Sequence, residues 1–417
     1  PTQQSTIQKL AVLIPGLNPN NPQPVTIDGV QITFIELHVF SQQNPQMVMF
    51  GITGGYDSDD DNLAKITKTK FFLKLQPYEW TKWIKGKNKW VHPSILYLYD
   101  INNDATIKVD LNDVDIFQNT FNKLNYYLPT PDMTLDDYTN LKEKATAYKL
   151  IIEAVTIQTI NLMPVYGIAD QNGYITAQCG GKPESVLFNL IAGIAKSAFS
   201  SAKGAVIVNI ANVTAQSYKN LQTMLTGKTE GMTSLNEFVK ENNLNTRVQI
   251  VEYNDKNFET LLKSTAAKNS DKILLVKMNG LPQTAFNYMY SKSTIPCVFE
   301  GKGTASMVLN LGIPYLHINN NSSVYPTLPL DSKNSSPCAT QSNNVSKSLL
   351  DDFITSNNLI KQGKTDNTSM SLTGNFIEEC SITQNNIRIY FTRLGAFFHD
   401  EENDKLLNAL GYMLTTL

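Results

Sequence analysis

Between Lys272 and Ile318, three short apolar runs alternate with helix-compatible segments, and this alternation restricts the fold more than any other feature of the sequence. Residues 273–276 (ILLV) are apolar and close in Lys277-Met278-Asn279-Gly280-Leu281-Pro282, as a buried strand ended by a turn would. Residues 285–292 suit a helix. A second apolar run, 297–299, leads through Gly301-Lys302-Gly303-Thr304 into 305–311, whose apolar positions again suit a helix. Gly312-Ile313-Pro314 stops that helix, and 315–318 opens a third strand. Strand, glycine loop, helix and strand form a βαβ unit. Its glycine loop lies at the carboxyl end of a strand and at a helix N-terminus, where unpaired N–H groups and the helix dipole favour an anion.

The same alternation extends upstream. Residues 205–210 (AVIVNI) and 248–251 read as strands, and 215–225, 234–241 and 257–264 as helices. Five strands separated by helices predict a doubly wound Rossmann-like domain. Gly180-Gly181-Lys182-Pro183 precedes it between two patterned segments, which is where an interdomain hinge is expected. Residues 185–200 then form an apolar helix.

Gly301, a small hydroxyl residue and then Gly312-Ile313-Pro314 resemble the nucleotide-binding loop-helix of GT-B glycosyltransferases, in a register similar to that of the peptide O-GlcNAc transferases. The resemblance covers about fifty residues by motif and the remainder by element order. It implies two Rossmann-like domains facing a cleft, with a sugar nucleotide as donor substrate and no separate cofactor. On that resemblance Gly303, Thr304 and Ala305 offer N–H groups to the donor diphosphate, opened by Gly301, and the Thr304 hydroxyl adds a donor. Many GT-B families carry an acidic residue inside this helix to hold the donor ribose. This chain has Ser306-Met307-Val308 there, and Glu300 before the loop is the substitute.

The chain has 417 residues, enough for two domains of ordinary size. Its net charge of −2 argues against electrostatic capture of nucleic acid or of an acidic membrane. Charged residues make up 17%, a low share, and Asn, Thr, Ser and Gln supply polarity instead. No apolar run reaches the length of a membrane span, and the first residues lack a secretory pattern. Cys179, Cys297, Cys338 and Cys380 lie far apart, so neither a zinc site nor a disulfide framework is indicated. These features together suggest a cytoplasmic protein.

The N-terminal part alternates less cleanly. Residues 10–14 read as a strand, 25–40 as a hairpin turning at Asp28-Gly29, and 47–52, 71–75 and 95–99 as further strands. Strands this close predict a decorated, partly antiparallel α/β domain. Asp57-Ser58-Asp59-Asp60-Asp61 can hold Mn²⁺ or Mg²⁺ beneath a diphosphate, as in GT-A enzymes, or form a solvated loop tip that caps a helix over 62–67. The loop tip is the preferred reading, so a metal-independent mechanism is expected. Residues 80–90 hold Trp80, Trp83 and Trp90 among lysines, read as a short amphipathic helix and a basic loop, with acceptor binding as the sharper alternative. Thr134, with Asp137 at the capping-box position, starts a long helix over 136–159, and 163–169 is a strand. Residues 319–345 read as a long surface loop, 346–356 as a short helix, 387–392 as a strand and 404–414 as an amphipathic helix.

The domains expected are therefore 1–181 on the acceptor side, 182–394 for the nucleotide sugar, and 395–417 crossing back to the first. Within them Lys277, past a strand's carboxyl end, is placed to neutralise leaving-group charge. Asn209 and Asn212 are placed to hydrogen-bond donor hydroxyls or phosphate. Asp170 and His38 are the candidates for a general base that deprotonates an acceptor hydroxyl. The acceptor, whether small molecule, glycan or protein, is left open. Two other classes compete with a glycosyltransferase: a sugar-nucleotide epimerase or hydrolase, and a non-catalytic binding protein on the same scaffold.

Overall fold

The computed structural model describes residues 9–14, 25–27, 30–36, 50–53, 71–74, 82–84, 89–91, 95–100, 105–110, 130–169, 181–197, 203–318, 337–355 and 369–400. The chain falls into two compact units. One comprises Pro1–Gln76, Thr81–Gln118 and Ala409–Leu417, and the other Pro77–Trp80 and Asn119–Asn408.

The described strands of the first unit pair locally. β1 (Lys9–Ile14) runs parallel to β3 (Val30–Glu36), and β2 (Val25–Ile27) lies antiparallel to β3 on the other side of Asp28-Gly29. β4 (Phe50–Thr53) pairs with β5 (Phe71–Lys74). The helix expected near residue 83 is replaced by β6 (Lys82–Ile84) and β7 (Lys89–Val91), antiparallel with Trp83 opposite Trp90. Aromatic and β-branched residues on both sides of Gly86 and Asn88 favour strands over one helical turn. β8 (Ile95–Asp100) and β9 (Ala105–Asp110) complete the set.

The second unit holds the parallel sheet. Its elements begin with α1 (Leu135–Asn140), α2 (Ala145–Thr156), β10 (Asn161–Val165), α3 (Pro183–Lys196), β11 (Ala205–Asn209) and α4 (Ala215–Leu225). α5 (Thr233–Glu241), α6 (Leu244–Arg247), β12 (Val248–Glu252), α7 (Phe258–Thr265) and β13 (Ile273–Lys277) follow. Next come α8 (Gln283–Ser291), β14 (Cys297–Phe299), α9 (Lys302–Asn310) and β15 (Tyr315–His317), and then α10 (Pro337–Thr355), α11 (Ser369–Ser381) and α12 (Asn386–Phe398). Six parallel strands stand in the order β12-β13-β11-β10-β14-β15. β11, β14 and β15 are buried along their whole length, because helices cover both faces of a parallel sheet and apolar residues are needed on each. β12, at an edge, buries Val251 alone and exposes Gln249, its other residues being half-buried.

β10 is one strand more than the five expected, and it is central. Its parallel ladder to β11 runs from Asn161–Ala205 to Val165–Asn209, so the hinge expected at Gly180-Gly181 falls between two adjacent strands of one sheet. The parallel domain thus begins well before residue 182. On the other side β10 meets β14 at a single bridge, Val165–Val298. The cause is Pro164. Asn161 N donates to Gly204 O, on the β11 side, whereas Leu162 N donates to Thr294 Oγ1 and Tyr166 N to Val298 O. Alternation turns position 164 towards β14, where proline has no N–H to give.

A crossover between parallel strands is right-handed, which puts α3 on one face of the sheet and α7, α8 and α9 on the other. α3 accordingly packs with α4, α10 and α11, α8 with α9 and α1, and α7 with α2. At the far end of α9, Gly312 adopts φ +63° and meets α12 at Gly395, where an added β-carbon would lie 2.5 Å from Gly312 Cα.

Three expectations fail for physical reasons. The long helix over 136–159 breaks at Lys142, which has φ +53° and opens a 3-10 turn, Lys142–Lys144. The Lys144 ammonium compensates by donating to Asn279 O and Gly280 O, each at 2.7 Å. Residues 387–392 are helical, not a strand, because Ile387, Tyr390, Phe391, Leu394 and Phe398 are buried at helical spacing. The loop expected over 319–345 gives way to α10 from Pro337 onward. Among the described residues no helix is long and apolar enough to cross a membrane.

The capping box at Thr134 forms as the sequence predicts. Asp137 N donates to Thr134 Oγ1 at 3.3 Å and Thr134 N to the Asp137 carboxylate at 2.9 Å. The Thr134 hydroxyl, first, and its N–H hold the Asp137 carboxyl below the ordinary carboxylate value. A carboxyl whose value is lowered on folding stabilises fully above its unfolded value and loses that contribution as pH falls through the folded one. Thr134→Ala is expected to cost about 1 kcal/mol in urea unfolding at pH 7. The stability difference between wild type and Asp137→Asn should close as the pH is taken below 3.8.

Candidate functional site

In an open parallel sheet, ligands bind outside the carboxyl ends of the strands, where neighbouring strands send their connections to opposite faces. Here one such point lies between β10 and β14. β10 leads towards α3 and β11, and β14 towards α9 and β15 on the other side.

Two chain segments meet there. After β10 come Tyr166 and Gly167, and after β14 come Glu300 and Gly301. Gly167 adopts φ +85°, and an added β-carbon would overlap Glu300 Cβ and approach Glu300 N at 2.8 Å. Only glycine permits this approach. The Glu300 carbonyl is held from the other side by His317 Nε2 at 2.7 Å. His317 is itself buried, tilted on Phe299 with ring centroids 5.0 Å apart, and its backbone N–H donates to Ser346 Oγ.

Gly301 is the N-cap of α9, with extended backbone, no side-chain cap and no acidic residue in the first turn. A β-carbon at Gly301 would meet only Thr304 Oγ1, at 3.9 Å, so neither conformation nor packing requires glycine. The helix begins earlier than the sequence suggests. Ala305 N donates to Gly301 O at 3.1 Å and is therefore spent inside the helix. The N–H groups of Lys302, Gly303 and Thr304 are the ones that helix geometry turns outward. Glu300, Gly301, Gly303 and Thr304 are thus brought together, and Ala305, fully buried, contributes packing.

The remaining expected ligands stand elsewhere along the sheet edge. The last row of the ladder reads Glu252, Lys277, Asn209, Val165, Val298 and Leu316. Lys277 is three strands from β14, about 14 Å at ordinary strand spacing. Its ammonium pairs with Glu252 Oε1 at 2.9 Å and lies 4.2 Å from the centroid of the Tyr218 ring. Asn209 is buried. Its amide donates to Ala211 O at 3.2 Å and to the Tyr218 hydroxyl at 2.6 Å, and its oxygen accepts from Ala211 N. Both residues close strand ends. Asn212 is exposed on the loop beyond. Asp170, His38 and Asp57–Asp61 lie outside the described residues.

Burial pushes the Cys297 thiol well above its ordinary value, and Cys338 and Cys380 are also buried. Among the described residues no group of three or more His, Cys, Asp or Glu side chains is placed to hold a metal ion.

Fold and site define a Rossmann-like α/β domain with a glycine-opened helix at its strand-order reversal. Compared with known proteins, the chain matches no family model, no curated protein and no solved structure. The residue that sequence reasoning missed is Gly167. Its signal, a glycine directly after a central strand, was present in MPVYGIA, but reading all of 163–169 as strand hid it.

Gly280 offers a matched control for Gly167. It shares φ +85° but has nothing within 4 Å of an added β-carbon. Gly280→Ala is expected to cost roughly 1 kcal/mol, from backbone strain alone. Gly167→Ala should cost on the order of 3 kcal/mol or more, because the clash with Glu300 adds to the strain. Equal losses in chemical unfolding would show that the approach of the two loops is not tight.

Proposed function

We propose that this protein is a glycosyltransferase of the GT-B type, moving a sugar from a nucleoside diphosphate to an acceptor nucleophile. The observation that carries the proposal is the N-terminus of α9. It is a nine-residue helix opened by an uncapped glycine, at the carboxyl end of β14 and at the reversal of strand order. Three outward N–H groups and the helix dipole suit a diphosphate there without a metal. Thr304, half-buried in the first turn, adds a hydroxyl donor, and Glu300 is the acceptor proposed for ribose hydroxyls. Glycosyl transfer itself, rather than binding alone, rests on the resemblance of the 301–314 segment to GT-B loop-helices. Asp170 or His38 as the general base belongs to the same proposal. Lys277 and Asn209 are given structural roles, because their polar groups already serve Glu252, Ala211 and Tyr218.

Gly301→Val provides the test. The backbone at Gly301 is one that valine adopts readily, and its β-carbon enters open space, so the fold should keep its melting temperature within a few degrees. A branched side chain over the outward N–H groups keeps phosphate away. Losing two charge-assisted hydrogen bonds at about 1.5–3 kcal/mol each predicts a weakening of roughly a hundredfold or more. Calorimetry with UDP, GDP and their sugar conjugates reads the effect, and EDTA should leave binding and transfer intact. Binding without product from any acceptor would favour a non-catalytic binding protein. Equal affinity in wild type and Gly301→Val would remove this helix from the site.

A further inference from the structure

The connection after β10 carries an aromatic ring that the core does not account for. Leu135, Ile157, Tyr166, Leu372 and Ile382 are large hydrophobic side chains left exposed, and Tyr166 is the aromatic one of these five. Tyr166 is 40% exposed, although Val165 before it and Ile168 after it are fully buried. A lone exposed aliphatic residue needs no explanation. Tyr166, however, stands at the switch point, beside the loop that opens α9, and it is held from several sides.

Its N–H donates to Val298 O at 3.0 Å. Its ring meets Phe286, in the first turn of α8, edge to face at 5.3 Å and 81°. Phe286 stacks on Tyr290 at 4.5 Å and 29°. The Tyr290 hydroxyl donates to the same Val298 carbonyl at 2.7 Å. Gly167 next to it is locked against Glu300, the residue before the N-cap of α9. Tyr166 is therefore a partly bare ring at the end of a three-ring column, anchored through one carbonyl to the strand that feeds the anion-favouring helix.

We infer that Tyr166 is the platform for the nucleobase of the ligand whose phosphates sit at α9. The inference rests on the proposed diphosphate site and adds what that site lacks, a contact for the rest of the molecule. A fixed ring exposed to solvent favours a flat partner, because the ordering cost is already met and every base offers a π face. The base of the proposed nucleoside diphosphate thereby gains a residue to contact, with modest preference among bases, since stacking does not read their edges.

Calorimetry on the full chain with UDP, GDP, inorganic pyrophosphate and the free nucleosides separates the two halves of the idea. Tyr166→Ala is expected to weaken the tighter of UDP and GDP by about tenfold to a hundredfold and to leave pyrophosphate unchanged. Tyr166→Phe, which keeps the ring, should bind within about threefold of wild type, and both variants should melt with wild-type cooperativity. Unchanged nucleotide affinity in Tyr166→Ala, with Gly301→Val still abolishing it, would overturn the platform and spare the diphosphate site. Equal weakening of UDP and pyrophosphate would also overturn it, by giving Tyr166 a role in the loop rather than at the base. Wild-type protein that binds a nucleoside through Tyr166 but neither diphosphate nor pyrophosphate would sink the anion site and keep the platform. No binding of any probe would overturn both.

Discussion

Two donors converge on the carbonyl of Val298, the Tyr166 N–H from β10 and the Tyr290 hydroxyl from α8. That carbonyl closes the seam between two groups of strands, which Pro164 leaves with a single bridge. Leu162 N–H, which would otherwise lack a strand partner there, is served by the Thr294 hydroxyl. Buried polar groups in a sheet interior must find partners, and here a hydroxyl and a shared carbonyl supply what the ladder does not. The arrangement concentrates order at the carboxyl end of the seam, where Gly167, Glu300 and His317 also meet.

The sheet edge divides into two kinds of chemistry. On the side of β12, β13 and β11, charge and amide are consumed internally: Lys277 by Glu252 and the Tyr218 face, Asn209 by Ala211 and Tyr218. A half-buried ammonium beside a carboxylate and a ring is close to neutral as seen from a distance. On the side of β14, α9 opens with no acidic residue and no side-chain cap. The positive end of that dipole meets no carboxylate within the helix's own first turn, and this contrast within one row of the same sheet is what the proposed anion site builds on.

Much of the parallel sheet was legible because strands buried on both faces write themselves as unbroken apolar runs, as in AVIV and ILLV. The capping box at Thr134 was legible because its bonds are local. β10 was placed in the wrong half for the opposite reason. Its partners β11 and β14 lie forty and more residues downstream, and nothing in NLMPV says which side it joins. The run at 387–392 misled because β-branched and aromatic residues also line a buried helix face. The placement of Gly301 to Thr304 between a strand and a helix could be read from the apolar pattern, while Gly167 and Tyr166 acquire meaning only through Glu300, Val298 and Phe286, contacts no local pattern records. Lys277 and Asn209 looked available for the converse reason, since their partners on β12 and α4 are invisible in sequence.

The contact of Gly312 with Gly395 constrains how such a sequence can drift. The two backbones touch where α9 ends and α12 crosses it, and Gly312 also needs its left-handed turn. A side chain at Gly395 must displace α12, and one at Gly312 must do so while straining its own backbone. Neither position can therefore be explored by small steps. A lineage carrying this fold either keeps both glycines or moves the whole helix, and with it the buried face of Tyr390, Phe391 and Leu394. Divergence elsewhere can be free, but at this joint it must come in concerted jumps.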